Sequence, residues 1–148
     1  MALYAAYGVN LDTANMAKRA PNSPPVSSGW LFGWRLTFGG EDLAWQGALP
    51  TVVEDPDGQV FVMLYAMTDS DARNLDSAEG FDLGFYEKLH VRVSTLDGDE
   101  TAWLYVLKGY EGGYPDREAR DAIVEAAKSA GAPSDYLARL VDWTCREE

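Results

Sequence analysis

One cysteine, Cys145, occurs in 148 residues, and it stands close to the C-terminus. A lone thiol builds neither a disulfide framework nor a cysteine-rich zinc site, so a reducing cytoplasm is the simplest compartment. Histidine is equally scarce. With His90 alone, a two-histidine metal centre within the chain is excluded, and any catalytic triad would have to use His90 as its base. In KLHVRV (88–93), Leu89, Val91 and Val93 alternate with Lys88, His90 and Arg92. That alternation puts His90 on the polar, solvated face of a strand. Basic charge is also short: 12 Lys and Arg stand against 24 Asp and Glu, for a net charge of −12. No basic block relieves it, so the electrostatic footprint of a nucleic-acid binder is missing. No run of about 18 apolar residues is present, so no transmembrane helix is expected. The first residues lack a positive start followed by a long apolar segment, and no secretory leader is expected either. No motif asks for a metal or an organic cofactor.

What is present is an ordinary globular composition, 47% hydrophobic and 24% charged. The length suits one domain over residues 1–148 with a sizeable core. LYAAY (3–7) reads as a buried first strand, GVN (8–10) as a turn and LDTANMAKRA (11–20) as a short helix capped by Asp12 or Thr13 and stopped by PNSPP. GWLFGWRLTFGG (29–40) reads as an aromatic-rich strand, either core or a dimer face. ALPTVVEDPDGQVFVMLYAM (48–67) reads as two strands joined by a DPDG turn. TDSDARNLDSAEG (68–80) predicts a short helix that ends before Gly80. YEKLHVRVST and ETAWLYVL flank LDGD in a hairpin. Ala119, Ala122, Ile123, Ala126 and Ala130 predict an amphipathic helix closed by Gly131, and Ser134 is expected to cap a last one through DYLARLVDWTC. This order predicts an α+β domain with a mixed, barrel-like sheet of about six strands flanked by helices. Trp30, Trp34, Trp45, Trp103 and Trp143 read as packing residues.

Two stretches carry possible chemistry. In YGVNL (7–11) a strand leaves the core through a glycine and an asparagine into a helix start. Exposed N–H groups in such a turn attract a carboxylate or an oxyanion. By spacing alone the stretch is equally a plain strand-to-helix turn. In LDSAEG (75–80) Glu79 precedes a glycine, with Phe81, Phe85 and Tyr86 close behind. Its plain reading is a helix end with exposed acids. Its functional reading is a carboxyl screened by aromatic side chains, which disfavours the charged form and lets the group take a proton and return it. Asp76 reads as a hydrogen-bonding residue of the helix end rather than a second catalyst, and Cys145 as an inert thiol.

Taken together, YGVNL, GQVFVMLYAM, LDSAEGFDLGFYEKLHVRV, ETAWLYVL and the GAPSDYLARL tail resemble the gamma-glutamylcyclotransferase-like family over nearly the whole chain. The resemblance implies a small barrel-like sheet and release of 5-oxoproline from gamma-glutamyl compounds. It implies that Glu79 is the acid and base, and that Tyr7, Gly8, Val9, Asn10 and Leu11 cradle the glutamyl portion. Tyr86 and Tyr105 are implied as pocket tyrosines. The family usually has serine where this chain has Val9. The expected partner is a small gamma-glutamyl molecule, with no nucleic acid and no membrane, and the chain acting as monomer or homodimer. Two alternatives stand beside this: a cyclotransferase for gamma-glutamylamines or a gamma-glutamyl metabolite, and a non-catalytic module that binds a small carboxylate. The loops at Pro21–Gly29 and Gly109–Tyr114 are candidate walls for the leaving group.

Overall fold

The computed structural model describes residues 2–40, 47–108 and 112–145. Five strands close into a barrel: β1 (Ala2–Ala6), β2 (Pro25–Gly39), β3 (Leu49–Met67), β4 (Tyr86–Thr95) and β5 (Gly98–Leu107), in the spatial order β1-β3-β2-β4-β5. Pairings are antiparallel except at the closure, where β1 runs parallel to β5 with Tyr4 opposite Trp103. The sheet is therefore mixed, as expected, and the helices α1 (Thr13–Arg19), α2 (Asp69–Glu79), α3 (Arg117–Ser129) and α4 (Ser134–Val141) accompany it. Among the described residues no helix is long and apolar enough to cross a membrane.

Among the described residues the strands number five rather than about six, because the DPDG turn does not reverse the chain. Residues on either side of it stay paired with β2, Glu54 opposite Trp34 and Gln59 opposite Phe32, so 55–58 bulge out of one long strand. Asp57 N–H donates to Asp55 Oδ1 (3.0 Å), a local turn bond that needs no hairpin. Gly58 is required there: a Cβ would lie 2.3 Å from the Trp34 carbonyl oxygen. An uninterrupted β2 offers a ladder to both flanks, and pairing overrides the turn signal.

The core follows the alternation. Val60, Val62 and Leu64 of β3, Val93 of β4 and Leu104 of β5 are fully buried. The intervening β3 residues Phe61, Met63 and Tyr65 are buried too, so both faces of this strand are covered and its apolar run is continuous. Tyr136 of α4 covers one side, its ring packed edge-on to Trp30 (5.6 Å) and near Phe61 (6.0 Å). Ser134 opens α4 as its first helical residue with Pro133 at the cap, and the helix ends at Val141, leaving Trp143 and Cys145 beyond it. Trp143 still packs on Phe38 (5.1 Å). Trp45 lies outside the described residues. His90 is exposed on β4.

Candidate active site

Helix α2 is built to stop at Glu79. Thr68 caps its start, with Oγ1 accepting from the Asp71 N–H (3.2 Å), and Asp69 and Asp71 suit the positive end of the dipole. Gly80 ends the helix in a left-handed conformation (φ 75°) that costs little only for glycine. Leu75, fully buried, anchors the helix to the core, a contact whose truncation to alanine costs about 2–5 kcal/mol. Asp71, also buried, accepts hydrogen bonds from the Asn22 N–H and the Ser23 hydroxyl (both 2.8 Å) and ties α2 to the segment after α1. Glu79 thus sits on the last turn, where a negative charge opposes the dipole by about 0.3–1 kcal/mol. Helix stability does not explain a carboxylate at that place.

The 3-10 turn Val9–Leu11 faces it. Asn10, only 3% exposed, donates from Nδ2 to Glu79 Oε1 (2.8 Å) and to the Tyr4 hydroxyl oxygen (3.3 Å). Its Oδ1 accepts from Arg19 Nη1 (2.5 Å), and its main-chain carbonyl accepts from the Tyr65 hydroxyl (2.6 Å). Every polar end of this buried side chain has a partner, which is the condition for burying an amide at low cost.

Around these groups lies a cleft of about 440 Å³ at one end of the barrel, where β1 and β5 finish and β3 and β4 begin. Of the residues expected at the site, Tyr7, Gly8, Val9, Asn10, Glu79, Tyr86 and Tyr105 line it. Leu11 does not; it is fully buried in the core and holds the turn down from below. A Cβ on Gly8 would meet only Pro50 Cγ, at an ordinary 3.6 Å, so the space over this glycine belongs to the cleft rather than to close packing. Phe81 and Phe85 are not part of the lining. The aromatic groups that share the cleft with Glu79 are Tyr4, Tyr7, Tyr86 and Tyr105. The leaving-group walls expected from Pro21–Gly29 and Gly109–Tyr114 are not in the lining either, and 109–111 lie outside the described residues. Leu49, Pro50, Ala119 and Ile123 give the lining an apolar stretch.

Burial raises the phenol of Tyr4 far above its ordinary value, and the Glu79 charge raises it further. Tyr86 is raised by the same two causes in the same order. Tyr7 is raised by burial first, then by its tyrosine neighbours and Glu79. Tyr105 is raised by burial and then by its hydrogen bond to Asp76. All four are neutral hydroxyls at neutral pH, able to donate hydrogen bonds and not to act as bases. Arg19 and Glu79 are the charged residues of the lining.

Asp76, one turn before Glu79, holds the helix end to the sheet. It accepts from the Tyr105 hydroxyl (2.5 Å) and pairs with Lys88 Nζ at 2.9 and 3.0 Å through its two oxygens. The same ammonium lies over the rings of Phe81 (4.8 Å) and Trp103 (4.6 Å). Tyr7 continues the network by donating to the Tyr105 carbonyl (2.6 Å). Among the described residues no group of three or more His, Cys, Asp or Glu is arranged to hold a metal ion.

Tyr4, Arg19, Ala119 and Ile123 were not anticipated at the site. Tyr4 was hidden in a strand read as wholly buried, and Ala119 and Ile123 in a stripe read as core packing. Arg19 carried one signal, a cation nine residues past Asn10 on a helix short enough to turn back over it.

The AIG2-like family model matches residues 59–140. The human protein named gamma-glutamylcyclotransferase is 31% identical over 143 residues, covering 93% of this chain and 76% of its own. The bovine protein of the same name is 33% identical over the same span. The chain belongs to the gamma-glutamylcyclotransferase-like family. A solved gamma-glutamyl cyclotransferase superposes with a TM-score of 0.91 at 27% identity, over 99% of this chain and 90% of its own. A yeast cyclotransferase described as specific to glutathione shares the fold alone, at 10% identity and a TM-score of 0.63.

Proposed function

We propose that this protein is a cofactor-independent cyclotransferase that releases 5-oxoproline from gamma-glutamyl amino acids or related amides, with Glu79 as general acid and base. Its relatives support the cyclotransferase activity. The observation that carries the catalytic assignment is the 2.8 Å bond from Asn10 to Glu79, which joins two segments 69 residues apart across one cleft.

The substrate brings its own nucleophile. Its α-amine attacks its γ-carbonyl, a five-membered ring closes, the γ-carbon–nitrogen bond breaks, and 5-oxoproline and a free amine leave with no net gain of water. The protein folds the glutamyl chain so that amine and carbonyl meet, which can lower the barrier by several kcal/mol. Backbone N–H groups at Gly8–Asn10 stabilise the oxyanion; the turn's own bonds use the N–H groups of Leu11 and Asp12. Glu79 removes a proton from the α-ammonium and delivers one to the departing nitrogen. The neutral tyrosines shape the glutamyl end, and the apolar wall of Leu49, Pro50, Ala119 and Ile123 receives the leaving amine. The setting is a reducing cytoplasm, in keeping with a single cysteine.

The test is Glu79→Gln, which preserves size while removing the proton shuttle. With gamma-glutamyl dipeptides, 5-oxoproline formation is expected to fall by about 100-fold or more, while calorimetry still detects binding. Product at the parental rate would sink the assignment. Heat of binding without product in the parent would identify a carboxylate-binding module instead.

A further inference from the structure

We infer that Arg19 is a positioning residue: it fixes which end of the Asn10 side-chain amide faces Glu79, and through it which carboxylate oxygen carries the proton. The inference rests on the proposed role of Glu79.

An asparagine amide has two ends of nearly equal size and opposite hydrogen-bonding character. Asn10 is almost fully buried, so water is a poor substitute for the partner of either end. Rotated by half a turn, it would present oxygen to the Glu79 carboxylate, acceptor against acceptor. A guanidinium has only donors. With Arg19 Nη1 2.5 Å from Oδ1, the rotated state would also place donor against donor, so both ends forbid it. The main chain of Asn10 is held separately by the Tyr65 hydroxyl, so Arg19 acts on the amide rotation rather than on the loop.

The NH2 end is thereby committed to Glu79 Oε1 and to the Tyr4 hydroxyl. With Oε1 engaged, Oε2 is the oxygen that meets the substrate's ammonium. Arg19 sits in the last turn of α1, where a cation suits the helix dipole, and it lines the cleft from the side of Asn10.

Three variants test this. Arg19→Lys keeps a donor-only cation. Arg19→Gln introduces an acceptor that tolerates both amide orientations. Arg19→Met removes the group altogether. On a gamma-glutamyl dipeptide, kcat is expected to fall about 10-fold or more in the Gln and Met variants with KM within about twofold, and to recover to within about threefold of the parent in the Lys variant. Independently of activity, the side-chain amide protons of Asn10 followed by NMR are expected to exchange with solvent about 10-fold faster in Arg19→Met than in the parent, with Arg19→Lys close to the parent.

Unchanged kcat in both Gln and Met variants would overturn the inference. So would a raised KM at constant kcat, which would mean that Arg19 holds substrate directly. Unaltered exchange in Arg19→Met would overturn it whatever the kinetics, and this arm still decides if the parent forms no 5-oxoproline, an outcome that defeats the proposed function instead. If melting shows Arg19→Met to be unfolded, Arg19→Gln takes its place in both measurements.

Discussion

Asp76→Asn separates the two carboxylates of LDSAEG. Asp76 is read as the clamp that holds the end of α2, and Glu79 as the group that moves protons. The substitution keeps size and removes charge. The Lys88 and Asp76 side chains are 30% and 17% exposed, so their pair is partly screened, and its loss is worth about 1 kcal/mol rather than the several kcal/mol of a dry pair. The Tyr105 hydroxyl exchanges a charged acceptor for a neutral one, passing from about 1.5–3 to about 0.5–1.5 kcal/mol, a further loss of about 1. The Lys88 ammonium keeps its place over Phe81 and Trp103, a contact worth about 0.5–1 kcal/mol. Together these give a destabilisation of about 2 kcal/mol, or about 4–8 °C in melting temperature for a chain of this size. Urea unfolding at neutral pH reads it directly, and a double-mutant cycle with Lys88→Met should return a coupling of about 1 kcal/mol. Activity of the folded Asp76→Asn protein should fall by less than about tenfold, against about 100-fold or more for Glu79→Gln. A cost under about 0.5 kcal/mol with no coupling would refute the clamp. Equal loss of activity in both variants would refute the division of labour.

Gly58→Ala would force a methyl group to within 2.3 Å of the Trp34 carbonyl, so the bulge must shift; unfolding should show a loss of about 2 kcal/mol or more, and a neutral result would mean that the β2–β3 ladder is not continuous there. Val9→Ser should change kcat/KM by less than about threefold if the turn acts through its backbone N–H groups; a gain of about tenfold would show that a hydroxyl at this position holds substrate. The fold should be lost at alkaline pH. Burial lifts the phenols of Tyr4, Tyr7, Tyr65, Tyr86 and Tyr105 well above their ordinary value near 10.0, and that of Tyr136 to about 12. The unfolded chain therefore releases protons first, so the stabilisation is complete below pH 10 and drains away as the pH rises above it. Tyrosinate absorbance should appear together with loss of structure, and independent titration of these phenols in a folded protein would contradict their burial.

Much of this fold is legible in one dimension because its rules are local. Thr68 and Gly80 bracket α2, and KLHVRV declares its faces by parity, since caps and alternation involve residues a few positions apart. The DPDG stretch fails by the same standard. An Asx turn looks alike whether the chain reverses or bulges, and the outcome depends on how far β2 extends opposite it. That length is a property of the partner strand, 20 or so residues away.

The site shows the same division at closer range. YGVNL and LDSAEG are visible as strings, yet the neighbours of Glu79 in the chain are not its neighbours in space. Phe81 follows it closely and turns to Lys88 and Tyr105, whereas the rings sharing its cleft come from β1, the turn after it, β4 and β5. Barrel closure produces this. The parallel pairing of β1 with β5 brings Tyr4 and Trp103 into register, and the chain leaving β1 must then pass over the barrel end where α2 stops. Asn10 meets Glu79 there, and α1 is only seven residues long, so its last turn returns Arg19 to the same asparagine. The orientation of the amide is therefore coupled to where α1 begins, a point set by Asp12, whose side chain caps the helix by accepting from the Ala14 N–H (3.0 Å).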